Sequence, residues 1–295
     1  MSHLASVISG NGGLQAVRVQ APAGAGLVYL HGAHVAQWIP TGADEVLWLS
    51  AKSQWTPDKP IRGGVPICFP WFGPRQGDPS APAHGFARLK QWTLESTAPG
   101  PDGAGVVSLR LDADDDTRRW WPHEFSLRLR VAFGATLDMR LELENRGTSS
   151  LQAEQALHTY FAVGDVRQVA IHGLDGVTYI DKTDAMKEKL QQGPIRITAE
   201  TDRVYTRTAA AVTIEDPSWT GTHAQGRRIL IARENSADAV VWNPWIAKAK
   251  AMPDFGDDEW PGMLCVETCN VKDQAVRLNP GEARALTARI HLERL

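Results

Sequence analysis

The 295-residue sequence predicts an all-β protein, a large antiparallel β-sandwich with few short helices. Apolar and polar residues alternate with a period of two through much of the chain, which is the pattern of half-buried strands. Turn signals recur about every ten to fifteen residues, and no segment carries the sustained 3.6-residue apolar stripe of an amphipathic helix. The sequence shows no internal repeat or linker, so we expect residues 1–295 to form a single domain.

Two consecutive segments show the strand pattern most clearly. In "FSLRLRVAF" (125–133) and "TLDMRLELE" (136–144), every second residue is a large apolar one. The intervening Gly134 and Ala135 predict a hairpin turn. Further strands are predicted at "GVVSLRLDA" (105–113), "AAVTIED" (210–216), "RRILIAR" (227–233), "AVVWN" (239–243), "MLCVETCNV" (263–271) and "LTARIHLER" (286–294).

Helical signals are weak and confined to two places. The segment "DDDTRRWW" (114–121) predicts a short helical turn with Asp116 or Thr117 as its N-cap. The segment "TDAMKEKL" (183–190) predicts one more turn.

Composition excludes several classes of protein. With 43% hydrophobic residues, 22% charged residues and a net charge of −3, the chain has the balance of a globular protein. It has no general basic field to hold nucleic acid or an anionic membrane surface, so neither is expected as a partner. No apolar run approaches the roughly 20 residues of a membrane helix. Nothing resembles a dedicated interface, so a monomer is the default expectation.

Cysteine usage and the N-terminus indicate a cytoplasmic protein. The three cysteines, Cys68, Cys265 and Cys269, include no C-x-x-C pair. An odd number without such a pair argues against a disulfide framework or a structural zinc site, and reduced thiols fit the cytoplasm. The N-terminal segment shows no signal-peptide pattern.

One loop combines rigidity with positive charge. The stretch "IRGGVPICFPWFGP" (61–74), followed by "PAHGFAR" (82–88), contains Arg62, His84 and Arg88. Proline and glycine at this density disfavour helices and central strands. Taken singly, the two arginines could equally be surface ion-pair partners of modest energetic value.

Two strand segments place a polar residue within an apolar pattern. In "ALHTYF" (156–161), His158 faces away from Leu157 and Thr159. In "MLCVETCN" (263–270), Glu267 shares a face with two cysteines, where a carboxylate is costly unless it is paired or hydrated. A structural histidine and an edge-strand glutamate are the ordinary alternatives.

Taken together, the motifs identify a family. The segments "RGGVPICFPWFGP", "PAHGFAR", "WPHEF", "ALHTYFAVGD", "TDRVY", "VVWNPW" and "CVETCN" occur in this order. In them the chain resembles the glucose-6-phosphate 1-epimerases, or D-hexose-6-phosphate mutarotases, a branch of the aldose 1-epimerase (galactose mutarotase-like) superfamily. The resemblance extends from about residue 25 to the C-terminus, and it implies a supersandwich with an open sugar-binding cleft.

The resemblance also implies roles for particular residues. His158 would be the general acid and Glu267 the general base, while His84 and Asp202 would bind sugar hydroxyls. Arg62 and Arg88 would bind the phosphate of a phosphosugar substrate, with Gln76 as a weaker candidate. No cofactor and no metal are implied.

Interconversion of anomers requires a base for the C1 hydroxyl and an acid for the ring oxygen. A glutamate is ionised at neutral pH, and we expect a nearby carboxylate to hold His158 in its protonated form. Three other interpretations stay open at this point: a mutarotase for unphosphorylated aldoses, a non-catalytic carbohydrate-binding protein, and a metal site built from two histidines and a carboxylate.

Overall fold

A computed structural model describes residues 4–222 and 226–295. Within these ranges the chain is built mainly from antiparallel strands, which confirms the predicted all-β sandwich. In chain order the strands are β1 (Ala5–Ser9), β2 (Gln15–Ala21), β3 (Gly24–Tyr29), β4 (His34–Pro40), β5 (Ile67–Cys68), β6 (Thr93–Pro99), β7 (Gly105–Asp112), β8 (Phe125–Phe133), β9 (Thr136–Asn145), β10 (Leu151–Ala153), β11 (Gln155–Leu157), β12 (Tyr160–Ala162), β13 (Ala170–His172), β14 (Thr178–Asp181), β15 (Lys187–Leu190), β16 (Thr201–Tyr205), β17 (Val212–Asp216), β18 (Arg227–Glu234), β19 (Asp238–Asn243), β20 (Met263–Asn270), β21 (Val276–Leu278) and β22 (Ala283–Arg294).

The helices of the described chain are short. The two α-helices are α1 (Asp115–Trp120) and α2 (Trp245–Ala251). Single 3₁₀ turns occur at Asn11–Gly13, Ala87–Leu89, Pro101–Gly103, Trp260–Gly262 and Lys272–Gln274. None of the helices within the described ranges has the length and apolar character needed to cross a membrane.

Two eight-stranded sheets dominate the described structure. One has the order β13-β17-β18-β22-β9-β8-β7-β6. The other, called the site sheet below, has the order β15-β14-β16-β19-β20-β11-β5, and β12 also pairs with β20. A four-stranded sheet, β1-β2-β3-β4, and the β10-β21 pair complete the set.

The predicted hairpin between residues 125 and 144 is confirmed and shows how the alternating pattern builds the core. Strands β8 and β9 pair so that Leu127 faces Leu143 and Leu129 faces Leu141. All four side chains are buried. Each fully buried leucine contributes about 1.5–3 kcal/mol relative to an exposed one, so such pairs account for much of the stabilisation of the sheet.

Two local predictions were only partly right: the helical turn within 114–121 and a turn at 183–186 are present, but the cap of the first and the extent of the second differ. Helix α1 is capped by Asp114, not by Asp116 or Thr117: the Asp114 carboxylate accepts a hydrogen bond from the Thr117 N–H, and the Thr117 hydroxyl accepts one from the Asp114 N–H. Within the segment 183–190, the last four residues form the edge strand β15 on β14. Ladder hydrogen bonds outweigh the helical propensity of its Lys and Glu residues there.

Close backbone contacts hold the loop of residues 61–88. His84 has a φ of +62° and Gly85 a φ of +75°. The N–H groups of Phe86 and Ala87 both donate to the Phe69 carbonyl. A Cβ on Gly85 would lie 1.9 Å from that carbonyl oxygen, so only glycine fits. The Phe86 side chain is buried in the main hydrophobic core, so it anchors the loop to that core.

We predict that Gly85→Ala destabilises the protein by about 3 kcal/mol, because backbone strain and a collision with a carbonyl coincide there. The matched control is Gly77→Ala, which has a φ of +77° but open space around the new Cβ. It should cost about 1 kcal/mol, the cost of a left-handed conformation alone. Urea unfolding followed by circular dichroism measures both, and equal effects would contradict the proposed close approach.

Candidate active site

One cleft of about 300 Å³ brings together most of the residues singled out in the sequence. It is lined by His84, His158, Asp202, Glu267, Arg62 and Arg88, together with Phe72, Ala83, Tyr160, Lys182, Trp242, Lys248 and Met252. Gln76 is not part of it. That residue lines an adjoining cavity of about 790 Å³, which shares only Phe72 and Lys182 with the cleft.

Strand register in the site sheet explains why distant residues meet. Asp202 on β16 lies opposite Trp242 on β19, and Trp242 lies opposite Cys265 on β20. Directly opposed residues share a face of the sheet. Glu267 follows Cys265 by two positions, so it projects to that face as well.

His158 and Tyr160 project to this face too, as the alternation in "ALHTYF" predicted. Tyr160 lies opposite Cys265 in the β12–β20 pairing. The rings of His158 and Tyr160 stack at 4.8 Å with an interplanar angle of 11°. Stacking of this kind limits rotation of the imidazole about its side-chain bonds.

His158 and Glu267 form a direct pair at the base of the cleft. The His158 Nε2 atom lies 3.3 Å from Glu267 Oε1, and the two side chains are 10% and 1% exposed. The remaining polar atoms, His158 Nδ1 and Glu267 Oε2, are buried and have no hydrogen-bond partner among the described residues. Buried polar atoms are seldom left unpaired, which sets these two side chains apart from ordinary core residues.

The electrostatics of this pair correct one expectation. Burial, followed by the charge of Asp202, raises the pKa of Glu267 well above its usual range. Burial, followed by the charges of Arg62 and Arg88, lowers the pKa of His158 well below its usual range. The prediction that a carboxylate keeps His158 protonated is therefore wrong for the free protein, because burial and nearby cations outweigh it. Both shifts favour the neutral form of the side chain concerned.

His84 presents a neutral imidazole to the cleft. Its Nδ1 accepts a hydrogen bond from the Gly73 N–H at 3.3 Å and lies 3.4 Å from Cys68 Sγ. This bonding assigns the proton to Nε2. Burial, followed by the charge of Arg88, lowers the pKa of His84 well below its usual range. An Nε2–H group is a donor suited to a hydroxyl oxygen.

Three of the four cations in the cleft are already paired with carboxylates. Arg62 donates from Nε and Nη2 to Asp254 at 3.0–3.2 Å. The Nζ atom of Lys182 lies 2.9 Å from Asp202 Oδ2. Lys248 pairs with Glu200, also at 2.9 Å.

Arg88 is different. Within the described chain it forms no ion pair; its Nη2 donates to the Ala83 carbonyl at 2.7 Å, and its Nε is buried without a partner. Burial lowers the pKa of this arginine, although a guanidinium stays charged at neutral pH. Arg88 therefore offers the cleft a positive charge that forms no direct ion pair with a carboxylate of the described chain.

Sequence reasoning missed Lys182, Trp242 and Asp254. Lys182 follows β14 directly, but its contact with Asp202 depends on the pairing of β14 with β16. Asp254 belongs to the acidic loop of residues 253–262, and it meets Arg62 across 192 positions. In the described residues, no group of three or more His, Cys, Asp or Glu side chains is arranged to hold a metal ion.

Comparison with known proteins supports the resemblance seen in the motifs. Residues 15–291 match the family model described as aldose 1-epimerase. The chain is 39% identical over 242 residues to a protein of Escherichia coli K12 and 38% identical over 264 residues to one of Cenchrus ciliaris, each named "Putative glucose-6-phosphate 1-epimerase". The alignments cover 81% and 86% of this chain and 77% of each relative.

A solved structure is also similar over nearly its whole length. The crystal structure of a "putative mutarotase" from Salmonella typhimurium matches with a TM-score of 0.90 and 32% sequence identity. The match covers 99% of this chain and 94% of the other.

The lowered pKa of His84 predicts a pH dependence of stability. The folded state favours neutral His84, so below pH 6.5 the unfolded chain binds this proton first and stability falls as the pH falls, by at most about 1.4 kcal/mol per pH unit. We expect the loss of urea stability between pH 6.5 and 5 to be smaller in His84→Asn than in the wild type. Met252→Leu, which removes no titratable group from the same cleft, should retain the wild-type slope. An unchanged slope in His84→Asn would contradict the assignment.

Proposed function

We propose that this chain, which belongs to the aldose 1-epimerase family, is an isomerase that interconverts the α and β anomers of a hexose 6-phosphate. Glucose 6-phosphate, named in its relatives, is the expected substrate. The observation that supports this best is the buried His158–Glu267 pair in a cleft that also contains the unpaired charge of Arg88. The pair suits proton transfer, and the arginine suits an anionic substituent.

The reaction needs two proton transfers and no change of oxidation state. A base takes the proton of the C1 hydroxyl while an acid protonates the ring oxygen, and the bond between C1 and the ring oxygen breaks. The open-chain aldehyde then rotates about its C1–C2 bond. Ring closure on the other face returns both protons by the reverse transfers, so acid and base are regenerated.

In this proposal Glu267 is the base and His158 the acid, which requires the shared proton to lie on the imidazole. In the free protein, the charges of Arg62 and Arg88 add to burial in lowering the pKa of His158. A phosphate dianion beside these arginines would offset their charge, so binding of the phosphosugar favours transfer of the proton to His158. The substrate thereby helps to prepare the acid that it uses.

The neighbouring polar residues would hold the sugar. The neutral His84 can donate its Nε2–H to one hydroxyl oxygen, and Asp202 can accept from another. Asp202 keeps its position through Lys182, whose Nζ lies 2.9 Å from its carboxylate. Together, the hydrogen bonds of His84 and Asp202 to two sugar hydroxyls would fix the orientation of C1 relative to the acid and base.

Arg88 and Arg62 would bind the phosphate. A guanidinium has five N–H donors, and in Arg62 the bonds to Asp254 and Tyr160 leave further donors on its terminal nitrogens. Gln76 lies in the adjoining cavity and is proposed at most as an outer contact.

We further propose a single-domain, monomeric, cytoplasmic enzyme that binds no nucleic acid and uses no cofactor. The main cluster of buried apolar side chains runs from Val17 to Ile290, which supports one domain. The three cysteines are buried free thiols, which supports a reducing compartment.

Glu267→Gln should slow anomer exchange on glucose 6-phosphate by at least about 100-fold, because the amide cannot act as a base. Exchange NMR on equilibrated glucose 6-phosphate and on glucose measures this, and the wild type should favour the phosphosugar. Glu188→Gln is the matched control, since the same change is made at an exposed edge-strand position. A Glu267→Gln protein that binds sugar with full turnover would rule out the mechanism, and no exchange by the wild type on either sugar would favour a binding protein.

Arg88→Met should raise KM for glucose 6-phosphate about 10- to 100-fold, the equivalent of a lost charge-assisted hydrogen bond, and leave KM for glucose nearly unchanged. Arg140→Met removes the same charge from an exposed strand position and should change neither value. Equal increases for both sugars would remove the phosphate role and favour an epimerase of unphosphorylated aldoses.

A further inference from the structure

We propose that Asp254 is a positioning residue for His158, acting through Arg62 and Tyr160. The inference deepens the proposed function and rests on it. Asp254 lies in the acidic loop of residues 253–262, and none of the steps above assigns it a part in the reaction. Its contacts lead directly to the imidazole of the proposed acid.

The first contact joins Asp254 to Arg62. Both Nε and Nη2 of the guanidinium donate to the carboxylate at 3.0–3.2 Å, so the two planar groups fix each other's orientation. The side chains are only 14% and 20% exposed, which protects the pair from competing water and salt.

The loop itself is firmly attached, so Asp254 is a fixed point. The neighbouring Phe255 is buried and packs on Trp48 with ring centroids 4.9 Å apart. Glu259 accepts hydrogen bonds from the N–H groups of Gly256 and Ala51 and from the Ser50 hydroxyl. These bonds attach the loop at Glu259 to Ser50 and Ala51, and they close the turn between Gly256 and Glu259 within the loop.

The second contact joins Arg62 to Tyr160. The Nη1 atom of Arg62 donates to the Tyr160 hydroxyl at 2.9 Å. The Tyr160 ring stacks on two others, Trp48 at 5.8 Å and 18° and His158 at 4.8 Å and 11°. Trp242 packs edge-on against both Tyr160 and His158, and Arg62 holds the hydroxyl end of the Tyr160 ring.

The third contact passes this restraint to the acid. Because the imidazole of His158 lies flat on Tyr160, the plane of the phenol sets the plane of the imidazole and the direction of Nε2 toward Glu267, 3.3 Å away. Without Asp254, the Arg62 head group loses its two-nitrogen anchor and Tyr160 loses its fixed donor. His158 then samples orientations that do not face the ring oxygen of the sugar.

A different role for Asp254 makes the opposite prediction. If the carboxylate only competes with phosphate for Arg62, its removal frees a cation and lowers KM for the phosphosugar. If it positions His158, its removal lowers kcat and leaves KM largely unchanged.

The test uses Asp254→Ala, Asp254→Glu and the control Asp257→Ala, which removes the same charge from an exposed position of the same loop. We expect kcat for glucose 6-phosphate to fall about tenfold in Asp254→Ala, as misplaced catalytic groups do, with KM within about twofold. Asp254→Glu should recover most of the loss, and Asp257→Ala should match the wild type. An unchanged kcat, a lower KM in Asp254→Ala, or an equal loss in Asp257→Ala would overturn the proposal.

A second readout separates this inference from the proposed function. The imidazole Cε1–H resonance of His158 lies in the ring current of Tyr160, so it should shift in Asp254→Ala and stay in place in Asp257→Ala, whether or not the wild type exchanges anomers. A resonance that does not move would overturn the positioning role. Loss of wild-type exchange with a moving resonance would instead reject the activity while keeping the coupling.

Discussion

The burial of one carboxylate in the middle of a sheet is the constraint around which the rest of the site is arranged. Glu267 is 1% exposed on β20, with β19 on one side and β11 and β12 on the other. A lone carboxylate there is costly in its charged form. The structure accommodates it by raising its pKa, placing His158 against it and surrounding the pair with cations.

The surrounding charges explain how a protein of net charge −3 can attract an anion at one place. Three of the cleft cations are paired with carboxylates, so they contribute more to the shape of the cleft than to its net charge. Arg88 remains without such a partner in the described chain. The proposed selectivity for an anionic substituent therefore needs one local imbalance of charge and no basic surface.

Much of the fold and part of the site could be predicted from the sequence. The physical reasons for this also explain which features could not be predicted. Alternation reveals β8 and β9 because burial of one face imposes a period of two. The motifs placed His158 and Glu267 in one cleft because register brings fixed strand positions together. The Asp254–Arg62 pair could not be read, since it joins a loop to a residue 192 positions away. The lowered pKa of His158 could not be predicted either, because it depends on burial and on several charges at once.

Some residues of the site lie on paired strands and others lie outside them, and this affects how such a molecule can change over evolutionary time. Glu267, Asp202 and Tyr160 are carried on paired strands, where a single inserted residue would turn each side chain to the opposite face. Arg62 and Arg88 lie outside those ladders, Arg62 in the segment before β5 and Arg88 in the 3₁₀ turn Ala87–Leu89. Under the proposed function, a substitution at Arg88 can therefore change which sugars are admitted without altering the strand register that places the acid and base, whereas one at Arg62 would also disturb Tyr160.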